Sequence, residues 1–172
     1  HEATLRGFIK ALEAKDLYTR GHTERVAYFA QLIGEQLGFR GSRLERVRVA
    51  ALIHDVGKLL LMRVIDDIKQ SDEHNTPISE ALVLELLDST HALHGYKLAK
   101  EWQLPEFYCT VVRDHHSEDI DANNTLHLLT RLANHACAQL GIGLKHDPSL
   151  TLAATDEAFC LGAKDILLAE LQ

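Results

Sequence analysis

A short apolar run, "ALIHDVGKL" at residues 51–59, contains three polar side chains that could take part in catalysis. His54 and Asp55 are adjacent, and Lys58 follows one helical turn after His54. His54 also stands seven residues after Val47, which places it on the buried face of a helix. A polar ring on that face needs a partner, because an unpaired buried polar group costs about 1–3 kcal/mol.

Other histidines stand beside apolar residues at helical spacing elsewhere in the chain. His22 comes four residues before Val26, His115 comes four after Val111, and His91 follows "DST", which predicts a helix start there. A lone histidine of this kind is usually a core residue with an ordinary hydrogen-bond partner. Four of them on four helices favour one shared partner, and a metal ion such as Zn, Fe, Mn or Ni suits imidazoles with a carboxylate.

The spacing indicates a catalytic rather than a structural metal. The candidate ligands are far apart in the sequence and no thiolates join them, unlike a structural zinc site. Asp55 is the natural anion between two ions, and Lys58 could hold a phosphate beside them. The alternative for Lys58 is a solvated lysine at a helix end. A haem or diiron oxygen-binding bundle is disfavoured, because the paired Glu-x-x-His motifs are absent.

The elements that must position these residues are helical nearly throughout. Apolar residues recur at intervals of three and four, and no period-two strand pattern appears. Helices are predicted in the segments 26–37, 44–51, 78–88, 92–102, from Pro105 onward, 125–140 and in the tail "AKDILLAEL". The polar stretches 66–77 and 117–124 are predicted as loops. The fold prediction is an all-α, single compact bundle of about eight helices, with one domain over 1–172, a core at about 8–140 and a C-terminal helical extension at 141–172.

Composition narrows the class of protein. The chain has 172 residues, 46% of them hydrophobic and 25% charged, which is ordinary for a globular domain. A net charge of −7 without a Lys/Arg block predicts no nucleic-acid binding. No apolar stretch reaches membrane-spanning length, and no signal peptide is recognised. Cys109, Cys137 and Cys160 form no CxxC pair and are expected to be reduced thiols in the cytoplasm. Because the chain does not begin with Met, we expect it to belong to a longer protein.

Two stretches carry a family resemblance. "HDVGK", together with the upstream "YTRGHTERVAYFAQLIGEQLG", resembles the HD superfamily of metal-dependent phosphohydrolases, and its HD-GYP branch most closely, over about residues 8–62. That branch implies hydrolysis of cyclic di-GMP by a domain usually fused to a receiver or sensor. Further along, "HALHGYKLAKEWQLPEFYCTVVRDHH" resembles HDOD domains, which commonly lack the metal ligands and act as signalling modules. Together the two resemblances cover most of residues 1–140.

The resemblance implies a set of site residues. A first metal would be held by His22, His54, Asp55 and the late-helix residue Asn134, and a second by Asp55, His91, His115 and His116. Lys58 matches the lysine that contacts substrate phosphate, so Asp55 and Lys58 are the predicted catalytic residues. Tyr18 stands where some HD-GYP proteins carry a glutamate for a third metal. One or two divalent ions are therefore expected, with Fe, Mn, Zn, Ni or Mg as the choices.

Two departures from the HD-GYP pattern bear on the function. The segment after the paired histidines reads "SEDIDANN" and lacks the Gly-Tyr-Pro loop tied to cyclic di-GMP recognition. Asn134 replaces an aspartate ligand, and its neighbour His135 points about 100° away around the helix.

Two functions therefore stay open. The first is a phosphohydrolase in bacterial signal transduction, acting on cyclic di-GMP, another nucleotide or a small phosphorylated molecule. The second is an HDOD-like regulatory domain acting through protein partners, with a fused receiver or sensor and a homodimer left open and no membrane partner expected.

Overall fold

A computed structural model of the chain describes residues 7, 21–71, 77–143 and 146–163. Within these residues the regular elements are all helical: α1 (His22–Gln36), α2 (Gly41–Ile53), α3 (Val56–Ser71), α4 (Glu80–Glu101), α5 (Glu106–Asp114), α6 (Thr125–Gln139), a 3₁₀ turn (Leu152–Ala154) and α7 (Asp156–Leu161). No strand occurs in the described part of the chain, so the all-α prediction is confirmed.

The main core lies where α1 packs against α2 and α6. Each helix contributes apolar residues at intervals of three or four, including the fully buried Ile33 of α1, Val47 of α2 and Leu129 of α6. Such a stripe must be buried against neighbouring helices, and its burial is the main source of stability in a bundle. A smaller cluster between α3 and α4 contains Leu61 and Leu87. The predicted site residues lie between these two regions.

An unusually close contact joins the start of α3 to the middle of α4. A Cβ atom added at Gly57 would lie 1.8 Å from the carbonyl oxygen of His91. One added at Gly95 would lie 2.9 Å from Val112 Cγ1 and 3.0 Å from the Gly57 nitrogen. Only glycine permits this approach of the two backbones. It brings Asp55, which stands two residues before Gly57, next to the helix that carries His91.

The predicted helices 78–88 and 92–102 are one continuous helix, α4, so the predicted start at "DST" is wrong. Ser89 donates its hydroxyl to the carbonyl of Glu85 at 2.7 Å, and Thr90 donates to the carbonyl of Leu86 at 2.8 Å. Ser and Thr can satisfy their hydroxyls inside a helix in this way instead of capping a new one. His91 therefore lies in the middle of α4.

The predicted loops and tail have mixed outcomes. The loop expected at 66–77 is wrong in its first half, because α3 continues to Ser71; residues 72–76 lie outside the described part. The loop at 117–124 is confirmed and connects α5 to α6. The predicted tail helix "AKDILLAEL" and Tyr18 lie outside the described residues, apart from Ala163 at the start of the tail.

Candidate metal centre

Asp55 lies at the junction between α2 and α3, and its side chain is 3% exposed. Four imidazoles from different parts of the fold surround it. Their Nε2 atoms approach its two oxygens at 3.6 Å (His22 to Oδ2), 3.4 Å (His54 to Oδ2), 3.3 Å (His91 to Oδ1) and 3.3 Å (His115 to Oδ1). The structure thus brings together around one carboxylate the four histidines that the sequence analysis proposed to share a partner.

Hydrogen bonds to the backbone determine which ring nitrogen carries the proton. In all four rings Nδ1 faces a carbonyl oxygen: His22 with Ile142 (3.2 Å), His54 with Ala51 (2.7 Å), His91 with Leu87 (2.5 Å) and His115 with Val112 (2.8 Å). A carbonyl can only accept, so each Nδ1 must donate. In a neutral ring Nε2 then offers a lone pair. Four lone pairs therefore point at the Asp55 carboxylate.

This arrangement leaves polar atoms without partners and fits a cation. His54 Nε2 and Asp55 Oδ1 are buried and have no hydrogen-bond partner among the described residues. His91 Nε2 and His115 Nε2 are only 3.0 Å apart, where two lone pairs repel each other. Protonation of His54 is not the remedy, because burial lowers the pKa of its ring well below the usual value. Imidazole nitrogens with a carboxylate form a donor set that divalent transition metals favour.

The donors divide into two sets that share Asp55. We call His22, His54 and Asp55 the first ligand group, and Asp55, His91, His115 and His116 the second ligand group. Within each group the candidate ligand atoms all lie within 4.8 Å of one another. His116 is the exposed member of the second group, and the centroid of its ring lies 4.2 Å from that of the His115 ring. This division is the same as the one that the resemblance implies.

Lys58 supplies the nearest positive charge. Its Nζ lies 2.7 Å from Asp55 Oδ2, and its side chain is 10% exposed. Burial alone would raise the pKa of Asp55, but the Lys58 ammonium favours the ionised form, and the pKa of Asp55 lies well below its usual range. Asp55 is therefore a carboxylate. The role of Lys58 in phosphate binding stays a prediction, since its ammonium is paired with Asp55 here.

A cavity of about 200 Å³ opens beside the cluster. Its lining includes His22, Lys58, Asp88, His116, Asn134 and His135. Asn134, the predicted replacement for an aspartate ligand, therefore lies beside the first ligand group. The ring of His135 turns instead toward α7, where its Nε2 lies 3.4 Å from Glu157 Oε1.

Sequence reasoning missed Asp88 on the cavity wall and the residues that support the cluster from α6 and α7. Asp88 stands three residues before His91, a spacing that shares one helix face. The wrongly predicted helix start at "DST" separated the two residues. Arg131 and Glu157 form an ion pair at 2.6 Å across 26 residues of sequence. No local pattern indicates such a pair.

The fold and the cluster define a class, an all-α domain with a buried His/Asp cluster that could bind metal. The HDOD domain family model matches residues 8–118, well over half of the chain. The chain therefore belongs to the HDOD family.

The chain is similar to two proteins named as phosphodiesterases and to one solved structure of an HDOD domain protein. The 3'3'-cGAMP-specific phosphodiesterase 3 of Vibrio cholerae serotype O1 is 42% identical over 66 residues, which are 38% of this chain and 14% of that protein. The cyclic di-GMP phosphodiesterase response regulator RpfG of Xanthomonas campestris pv. campestris is 34% identical over 58 residues, 34% of this chain and 15% of that protein. The crystal structure of an HDOD domain protein with unknown function from Geobacter sulfurreducens superposes with a TM-score of 0.64 at 25% identity, over 87% of this chain and 56% of that one.

The matches to the two phosphodiesterases cover only about a seventh of their lengths, since they amount to 14% and 15% of those proteins. None of the described helices is both long enough and apolar enough to cross a membrane.

Proposed function

We propose that this chain is a metal-dependent phosphohydrolase domain of bacterial signal transduction, with a cyclic dinucleotide or another nucleotide as its substrate. The observation that carries the proposal is the convergence of four Nε2 lone pairs on the ionised Asp55. A buried set of this kind has little reason to exist without a cation, since each unpaired polar atom costs stability. The similarity to two proteins named as cyclic dinucleotide phosphodiesterases supports the same chemistry.

The chain's own residues would bind the metal ions, orient the imidazole rings and contact the substrate phosphate. The first ligand group with Asn134 would hold one ion and the second group another, with Asp55 shared between them. Divalent ions, when bound, supply Lewis acidity and a nucleophilic water at neutral pH. The backbone carbonyls at the four Nδ1 atoms keep the rings oriented with their Nε2 atoms toward Asp55. Lys58, whose ammonium lies beside Asp55, would be the residue that pairs with a phosphate oxygen when the carboxylate is compensated by a cation.

Asn134 makes the two ligand groups unequal. An amide oxygen is neutral, so the first group has one negative charge fewer than a group with an aspartate at that position. We therefore expect the first group to bind its ion more weakly than the second.

A second candidate function is a regulatory domain that acts through protein partners without hydrolysis. The contact that favours it is the ion pair between Lys58 Nζ and Asp55 Oδ2 at 2.7 Å, which already neutralises the buried carboxylate from within the chain. In that case the cluster is a structural remnant, and partner docking is the activity.

Metal and activity measurements separate the two candidates. Protein purified under anaerobic conditions with iron or manganese is analysed for bound metal and assayed on cyclic di-GMP, 3'3'-cGAMP and an aryl phosphate. We expect bound metal and hydrolysis that Asp55→Asn abolishes, whereas Asp156→Asn, an exposed position on α7, leaves both unchanged. Metal-free, inactive protein under all conditions would support the regulatory function.

The Asn134→Asp variant sharpens this comparison. Adding a carboxylate beside His22 is expected to tighten the first ion by about tenfold, equivalent to about 1.4 kcal/mol, and to raise turnover. The check is a metal titration followed by the hydrolysis assay. A variant that takes up two ions and still cleaves no phosphate ester would contradict the hydrolase proposal.

A further inference from the structure

The backbone that carries His115 and His116 is held from the side by α6. Helix α5 ends at Asp114, so the carbonyl groups around this point have no partner within the helix. His127 Nε2 donates to the carbonyl oxygen of Asp114 at 2.8 Å. The Arg131 guanidinium donates to the carbonyl of His115 at 3.3 Å and to that of Ser117 at 2.5 Å. Two side chains one turn apart on α6 thus donate to the carbonyls of residues 114, 115 and 117.

Arg131 is itself fixed by Glu157 on α7. Its Nε lies 2.6 Å from Glu157 Oε1, and the two side chains are 12% and 3% exposed. Burial would raise the pKa of Glu157, but its hydrogen bonds with His135 and Arg131 lower the pKa to about 2, so the carboxylate is charged. A planar guanidinium held at one edge by a carboxylate presents its other donors in a fixed direction. Those donors reach the loop that follows α5.

The hydrogen bonds from Arg131 hold only the backbone that carries the second ligand group. The second ligand group takes His115 and His116 from the segment that Arg131 holds. The first group takes His22 from α1 and His54 from the end of α2, and among the described residues Arg131 donates instead to Glu157, His115 and Ser117. Loss of the Arg131 donors would free the carbonyls of His115 and Ser117 to seek water. The ring of His115 would then move relative to His91, while the first group keeps its geometry.

We propose that Arg131, held in place by Glu157, is a positioning residue for the second ligand group. The inference rests on the proposed function, because it takes the cluster to bind metal. Both residues lie beyond position 118, where the match to the HDOD family model ends. The α6–α7 region would therefore be part of the metal centre and not only an extension packed on the domain.

Metal titration of variants tests this role. Metal-free protein is titrated with Mn²⁺, and Arg131→Met and Glu157→Gln are compared with Asp156→Asn, which removes the same negative charge as Glu157→Gln at an exposed position on α7. Partners that orient a ligand typically change metal affinity by about 10–100-fold. We expect Arg131→Met and Glu157→Gln each to lower the Mn²⁺ affinity of one of the two sites by about tenfold. Asp156→Asn is expected to leave both affinities unchanged. The loss persists in a His22→Ala background and disappears in a His91→Ala background.

A double variant shows whether Glu157 acts through Arg131. If it does, adding Glu157→Gln to Arg131→Met causes no further loss of Mn²⁺ affinity, and Arg131→Lys recovers only part of it because it lacks the planar donor edge. Variants that unfold at lower temperature yet keep both Mn²⁺ affinities of the wild type would overturn the proposal, since the pair would then be only structural.

A second readout separates this proposal from the proposed function. Wild-type protein that binds no Mn²⁺ would contradict the function, but the imidazole ¹⁵N resonances of the metal-free protein still test the positioning role. We expect the His115 ring resonances to shift in Glu157→Gln and to stay in place in Asp156→Asn. Unshifted His115 resonances in Glu157→Gln would overturn the positioning role whether or not metal binds.

Discussion

At the residue scale, the charge of the centre depends on Asp55 and Lys58. The four Nδ1 hydrogen bonds turn each Nε2 atom toward the carboxylate, and the Lys58 ammonium faces the same buried carboxylate at 2.7 Å. Breaking such a pair strands a charge in the interior, which is costly unless another cation replaces it. Lys58 and a bound metal are therefore alternative ways to compensate the same carboxylate.

Lys58→Met is expected to destabilise the metal-free protein by about 3–5 kcal/mol, because Asp55 is left buried without its cation. Divalent metal should restore more stability to this variant than to the wild type, since the ion replaces the missing charge. Urea denaturation with and without Mn²⁺ measures both effects. Lys100→Met is the control, because the Lys100–Glu106 pair is exposed to solvent and should contribute little to stability. Equal losses of unfolding free energy in Lys58→Met and Lys100→Met would contradict this account of the centre.

At the element scale, the centre depends on helices that cross closely enough to bring their histidines to one carboxylate. The periodicity of the sequence predicts most of the helices, and it places His22, His54 and His115 on buried faces. It misplaces the start of the helix that carries His91, because the hydroxyls of Ser89 and Thr90 can either cap a helix or bond within it. Sequence periodicity also gives no information on how closely α3 and α4 approach.

Gly95→Ala tests that close approach. The added Cβ would lie 2.9 Å from Val112 Cγ1 and 3.0 Å from the Gly57 nitrogen, so α4 must move away from α3. We expect a loss of about 1–3 kcal/mol in the free energy of unfolding and weaker metal binding, because His91 moves with α4. Gly34→Ala on α1 is the matched control, since its Cβ would meet only the end of the Leu44 side chain at 3.2 Å, together with other side-chain atoms further away. Denaturation and Mn²⁺ titration of both variants give the comparison, and unchanged metal affinity in Gly95→Ala would contradict the argument.

At the scale of the whole molecule, the centre is completed by parts of the chain that are far apart in sequence. The HDOD match ends at residue 118, yet Ile142 accepts the Nδ1 hydrogen bond of His22, and Glu157 holds Arg131. Motif spacing indicates the ligands, because their types and faces follow from local pattern. It does not indicate these supporting contacts, because they depend on how α6 and α7 pack against the rest of the bundle.

The Arg131–Glu157 pair also predicts how the stability of the whole domain depends on pH. The pKa of Glu157 in the folded protein is about 2, below its ordinary value of 4.5. The unfolded chain therefore takes up a proton first, and the stability that Glu157 contributes is present above about pH 4.5 and is lost as the pH falls toward 2. We expect Glu157→Gln to be less stable than the wild type at pH 6, with a difference that shrinks toward pH 3. Urea denaturation at several pH values measures it, and a difference that is constant with pH would contradict the assignment.

The central claim is that the imidazoles around Asp55 form a metal centre, and a crystal structure of the protein grown with Mn²⁺ tests it most directly. Anomalous scattering locates manganese independently of the protein atoms. The account predicts two anomalous peaks at ligand distance from Asp55, one beside His22 and His54 and the other beside His91 and His115, with the weaker peak in the first ligand group. A structure with Mn²⁺ in the crystal and no anomalous peak beside Asp55 would contradict it.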